Sequence, residues 1–294
     1  MTAQSFLQLN TIFISILIEA IPFVLIGVFI AGIIQIFITE EMVAKIIPKN
    51  RFLSILFASI AGAFFPACEC GIVPITRRLL LKGVPLPAAI AFMLTAPIIN
   101  PIVLFSTYVA FGNKWDMVFY RGGLAILVSL LVGIILSYQF KDTQLLTKVS
   151  IKGHHSHSHG KQSLQKKLFE TLSHAVEEFF SVGKYLIIGA FIAAAMQTFV
   201  KTSTLLTIGQ NETSSSLVMM GLAFILSLCS EADAFIASSF SSTFSTGSLV
   251  AFLVFGPMVD IKNLLMMLGV FNKRFVFVLI AYITIFVLVG SLFL

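Results

Sequence analysis

Charge is what this chain lacks most. Of its 294 residues only 11% are Asp, Glu, Lys or Arg and 58% are hydrophobic, where a soluble domain carries about 25% charged residues. So little charge cannot cover a water-facing surface, which excludes an ordinary soluble protein. Cysteine is scarce as well: there are three, Cys68, Cys70 and Cys229. An odd number with two of them one residue apart excludes a disulfide framework. No stretch joins basic residues to stacking aromatics, so the net charge of +6 does not point to nucleic acid. No Walker A sequence, GxSxG or HExxH occurs, which argues against an ATP site and against an enzyme. The N-terminal stretch Met1–Asn10 has no basic residue and does not read as a cleaved signal peptide, so the first apolar run is expected to stay as a helix.

What is present is a series of long apolar runs, at roughly 11–38, 52–76, 84–111, 117–139, 179–200, 214–239, 247–271 and 275–294. One bilayer crossing takes about 20 apolar residues, and only helices or closed barrels satisfy every backbone group there. Runs this long and continuous are helices. The expectation is an all-α, polytopic membrane protein of about eight spans. Residues 1–140 form a first transmembrane part, 141–176 a linker rich in His and Lys, and 177–294 a second transmembrane part. Lys141, Lys148, Lys152, Lys161, Lys166 and Lys167 place the linker in the cytoplasm by the positive-inside rule. Four preceding spans then put the N-terminus there too. That count sends Lys45, Lys49 and Arg51 to the outside, against the rule, a conflict that counting a re-entrant hairpin at 52–76 as a full span would also produce.

The two parts repeat. Residues 21–37 and 183–199 share seven identities in seventeen positions: Ile26, Gly27, Phe29, Ile30, Ala31, Gln35 and Phe37 match Ile188, Gly189, Phe191, Ile192, Ala193, Gln197 and Phe199. Residues 90–100 align with 250–260, so that Pro97 recurs as Pro257 and Asn100 faces Asp260, and between these Cys68 aligns with Cys229. Repeats with interrupted helices at matching positions mark secondary transporters, whose substrate site lies where those helices meet near mid-membrane. Full spans at 52–76 and 214–239 make the repeats parallel; hairpins there make them inverted.

Candidate chemistry clusters at the interruptions. Cys68, Glu69 and Cys70 lie among Pro66, Gly71 and Pro74, where the helix is expected to break. Thiolates there suit a soft ion, although small free cysteines also serve as packing residues. In the second part Cys229, Glu231 and Asp233 fall within an apolar run, and intramembrane acids are functional candidates. Asn100, set between Pro97 and Pro101, and Asp260, behind Pro257, are candidates to bind substrate or a coupling ion. Gln35 and Gln197 read as packing, and Glu19 has no acidic counterpart in the repeat and is left unassigned. In the linker, His154, His155, His157 and His159 form a short tract able to capture a metal ion, apart from the transport site. Beyond that captured ion no cofactor is expected.

The segment FFPACECGIVPITRRLLLKGVPLPAAIAFMLTAPIINPIVLFSTY, with its CECG-x-VP and APIINP motifs, resembles the signature region of a bacterial permease family that includes the organoarsenical efflux permeases. The resemblance covers nearly the whole chain. It implies a multi-pass protein of the bacterial cell membrane, a site including Cys68, Glu69, Cys70, Pro97, Asn100 and Pro101, and, for some relatives, a second membrane subunit. The leading expectation is export of a soft metal or metalloid species, such as an organoarsenical or a zinc-like ion. A proton-coupled transporter of a small anion and a non-transporting scaffold for a partner subunit are the rivals. A homo-oligomer is open.

Overall fold

The computed structural model describes residues 3–37, 39–48, 50–65, 68–140, 143–146, 164–199 and 212–294. The His tract and Pro66 lie outside them. The described residues form helices: α1 (Ala3–Phe37), α2 (Glu40–Ile46), α3 (Arg51–Gly62), α4 (Glu69–Leu81), α5 (Leu86–Ile99), α6 (Pro101–Ala110), α7 (Asp116–Gln139), α8 (Leu164–Phe199), α9 (Glu212–Leu226), α10 (Ser230–Ser239), α11 (Thr246–Met258), α12 (Ile261–Val270) and α13 (Lys273–Ser291). The protein is a polytopic all-α membrane protein, as its composition requires.

Among the described residues the crossings number six rather than eight: Gln4–Ile34, Leu86–Ala110, Asp116–Gln139, Ala175–Phe199, Thr246–Val270 and Lys273–Ser291. The run 52–76 is two half-length helices. α3 and α4 have 12 and 13 residues, or about 18–20 Å each at 1.5 Å per residue, too short for a core of about 30 Å. α3 runs parallel to α5. A side chain on Gly133 would meet both Ile55 and Pro87, and one on Gly62 would meet Thr95 and Ala96. α4 then returns to the edge where α5 begins. α3 and α4 are therefore a re-entrant hairpin with its tip at mid-depth. The run 214–239 is a second hairpin, α9 and α10. Ser216 bonds Ser291 near the start of α11, and a side chain on Gly256 near its end would meet Ala223 and Asp233.

The same succession therefore occurs twice: a long helix (α1, α8), a hairpin (α3–α4, α9–α10), a crossing broken at mid-depth (α5–α6, α11–α12) and an unbroken one (α7, α13). Three crossings separate Ala3 from Phe140, so the second set is inverted relative to the first. The turn after Phe140 meets the α12–α13 corner, where Leu145 bridges Phe271 and Asn272 N–H donates to the Gln144 carbonyl at 2.9 Å. One face of the molecule thus gathers Lys45, Arg51, Arg77, Arg78, Lys82, Lys273, Arg274 and the origin of the linker, while Lys114 sits at the other. The N-terminal end of α1 is on that other face, not on the linker's face as an eight-span count has it.

Both broken crossings interrupt where the sequence places them. Asn100 and Asp260 are N-caps. Asn100 Oδ1 accepts the Ile102 and Val103 N–H groups at 2.7 and 3.2 Å, and Asp260 Oδ1 accepts the Asn263 N–H at 2.6 Å. Pro101 opens α6, where its missing N–H costs nothing; Pro97 and Pro257 lie in the last turns of α5 and α11. Gly71 is not a break residue. It lies inside α4, where a Cβ on the facing Gly27 would stand 2.6 Å from its Cα and carbonyl oxygen. Glycine at both positions lets α1 and α4 touch backbone to backbone.

Candidate functional site

Four half-length helices, α4, α6, α10 and α12, start at mid-depth with N-caps Cys68, Asn100, Cys229 and Asp260. A helix start carries unpaired N–H groups and roughly half a positive charge. The hairpin tips come from opposite membrane faces and touch, for Ser230 Oγ donates to Glu69 Oε2 at 3.4 Å. Ser227, at the second tip, has φ 50, a conformation costly for a residue with a Cβ. Its hydroxyl donates to Asp260 Oδ2 at 2.7 Å, which ties the tip to the second broken crossing.

Cys68, Glu69, Cys70 and Cys229 line one cavity with Ile16, Glu19, Ala20, Phe23 and Lys262, of about 10 Å³, room for about one water. As it stands it is too small for a solute much larger than water. Glu69 and Cys70 are each 1% exposed. Lys262 Nζ stands 3.8 Å from Glu69 Oε1 and 3.6 Å from Asp260 Oδ2, linking the first hairpin tip to the break at Asp260. Among the described residues, no group of three or more His, Cys, Asp or Glu is placed to hold a metal ion. The thiols share a cavity without forming a preset coordination shell.

The other candidates separate. Asp233 is buried behind the second tip, with Oδ2 lacking a partner. Glu231 is half-buried and does not line the cavity. Among the described residues, the Asn100 side chain bonds within its own helix. Gln197 does act in packing, its amide donating to the Leu226 carbonyl at 2.7 Å; the Gln35 side chain is outside the described set.

Three charged residues went unassigned in the sequence. Glu19 lines the cavity from the middle of α1. Lys262 joins Glu69 to Asp260. Arg121 on α7 is fully buried; its Nη1 donates to Thr107 Oγ1 at 2.6 Å and its Nη2 to the Ser230 carbonyl at 2.9 Å. The signal for all three was an ionisable side chain inside an apolar run.

Two opposed hairpins, two crossings broken at mid-depth and a polar cavity at their meeting point define a membrane permease of the inverted-repeat kind. The chain belongs to the ArsP_1 family, described as "Predicted permease", which it matches over residues 5–294. It is 76% identical over 293 residues, 99% of each chain, to the UPF0718 protein YcgR of Bacillus subtilis. It is 50% identical over 273 residues, 93% of this chain and 90% of the other, to a Streptococcus mutans protein named as a two-component membrane permease complex subunit. A UPF0718 protein of Methanocaldococcus jannaschii, MJ0584, is 26% identical over 137 residues, 46% of this chain and 37% of its own. No solved structure matches the chain.

Proposed function

We propose that this permease moves a small thiophilic solute, a soft metal or metalloid species, through the cavity between the hairpin tips. The observation that carries this reading is that Cys68, Cys70 and Cys229, from both halves of the chain, line one cavity together with Glu69. Soft donors from opposed hairpins can hold a solute that either side releases when the tips part. The positive-inside rule then makes the face with Lys45, Arg51, Arg77, Arg78 and the linker cytoplasmic, with the N-terminus outside. The His tract concentrates metal at that face, and a second membrane subunit, as the name of the Streptococcus mutans relative suggests, completes the complex.

The test is flux of a trivalent organoarsenical and of zinc in inverted vesicles, with and without a pH gradient. Cys68→Ser and Cys70→Ser keep volume and lose the soft donor; each should abolish flux while the protein remains folded in the membrane. Normal flux in both variants refutes the thiophilic reading. A second reading, a small anion with a coupled proton, is favoured by Lys262 and by the starts of α4, α10 and α12 at the cavity. It predicts that a small inorganic anion moves in the Ser variants and that flux depends on Lys262.

A further inference from the structure

The inverted halves are not packed alike. α1 lies along α4, and α8 lies along α12. The repeat mates of these contacts are α8 along α10 and α1 along α6, and neither has comparable packing among the described residues. α4 and α12 fill the half of the core toward the lysine-rich face; α6 and α10 fill the other half. Among the described residues the α1–α8 pair therefore covers one half of the core and gives the equivalent half no comparable cover.

The exposure of matched positions makes this concrete. Lys262 on α12 is 4% exposed, and its mate Ile102 on α6 is 57% exposed. Cys70 on α4 is 1% exposed, whereas its mate Glu231 on α10 is half-buried. Phe105 and Phe235, on the bare face, are 66% and 52% exposed; Pro74, the mate of Phe235, is buried. Lipid alone does not suit this face. Glu231 lies one residue into α10, which starts at mid-depth, and a carboxylate left to hydrocarbon there is costly.

The repeat says what fits. The matched face is covered by an antiparallel helix pair that presents Gly27 to Gly71, and Gly189 to the backbone of Lys262. Both glycines recur at the same repeat position, so the pair is itself close to symmetric and can present the same surface to either half. We infer that the α6–α10 face is a second seat for the chain's own α1–α8 pair, occupied in an outward-to-inward exchange in which the pair leaves α4 and α12. This rests on the permease reading and adds its moving part. In the exchanged state α8 covers Glu231 as α1 now covers Cys70, and the cavity wall built by Ile16, Glu19, Ala20 and Phe23 is withdrawn from Cys68 and Cys70, which opens the thiols to the lysine-rich side.

Tyr185 now packs against Gly269; the mates of these two residues are Phe23 and Val109. In a full-length chain with Cys68, Cys70 and Cys229 replaced by Ser, two double variants are made, Tyr185→Cys/Gly269→Cys and Phe23→Cys/Val109→Cys. Each is oxidised in native membranes, and the remaining thiols are counted by maleimide-polyethylene-glycol gel shift. The first pair is expected to close and thereby report that the altered background still folds. The second is expected to close within the same chain, losing both gel-shifting adducts. The inference is overturned if the first pair closes and the second keeps both thiols reactive. It is also overturned if Val109→Cys forms a disulfide between two chains, since another polypeptide then holds the seat. Cross-linking does not require transport, so a wrong substrate leaves this result standing.

Discussion

Replacing Lys262 by Met tests whether the centre is held by charge balance. The ammonium stands 3.8 Å from Glu69 Oε1 and 3.6 Å from Asp260 Oδ2, with its side chain 5% exposed. At an effective dielectric of 20 each attraction is worth about 4 kcal/mol, and desolvation of the three groups offsets much of it. Removing one member of a buried ion pair costs ~3–5 kcal/mol, because the remaining charge stays buried. With about 2–4 °C of melting temperature per kcal/mol for a chain near this size, Lys262→Met should melt roughly 6–20 °C below the parent in detergent, followed by size-exclusion of the heated protein. The double variant Lys262→Met/Glu69→Gln should recover at least half of the loss. Asp260 keeps its bonds from the Ser227 hydroxyl and the Asn263 N–H, so the second carboxylate is not stranded. A single variant within about 2 °C of the parent, or a double variant no more stable than the single one, would refute the reasoning.

Arg121→Lys keeps the charge but cannot span Thr107 and Ser230 at once, since a lysine lacks the guanidinium fork; a destabilisation of about 2 kcal/mol is expected in the same melt, and an unchanged melting temperature counts against a structural tie between α7 and the second hairpin. Gly27→Ala places a Cβ 2.6 Å from backbone atoms of Gly71, which cannot yield as a side chain would. An overpacking cost of about 1–3 kcal/mol should appear, and Gly123→Ala, with open space around it, should melt like the parent. Deleting 153–160 should leave maximal flux intact and weaken flux mainly at low substrate concentration; complete loss would place the His tract in the transport site itself.

The sequence discloses the class through its poverty of charge, the repeat through seven matched residues, and the breaks at Asn100 and Asp260 through the prolines around them. It does not disclose the pairs that meet across the halves. Glu69 and Lys262, or Arg121 and Ser230, are brought together by the inversion, and no local period relates them. Lys262 is legible as well, since a lysine two residues past Asp260 in an apolar run has to find a buried counter-charge. Repeat symmetry gives Glu19 no role, because its mate is Ser181. A role read from repeat symmetry needs a symmetric site, whereas α1 packs on α4 and α8 has no comparable packing on α10 among the described residues.

Hydropathy is blind to a reversal of direction. A half-helix, a turn and a second half-helix of apolar residues read as one span, and at 52–76 and 214–239 that adds two crossings. Charge is not blind to it. With 52–76 as a full span, Lys45 and Arg51 fall opposite the lysine-rich linker, against the rule that orients loops during insertion. With a hairpin there, Lys45, Arg51, Arg77, Arg78 and Lys82 lie on the same face as Lys273 and Arg274, where the linker also begins. A span enters the bilayer once, so the side of each short basic loop is an independent constraint on how many crossings precede it. The conflict at Lys45 and Arg51 was therefore a measurement of the hairpin. The same constraint fixes the inversion of the halves, because an odd number of crossings before the linker turns the second half over.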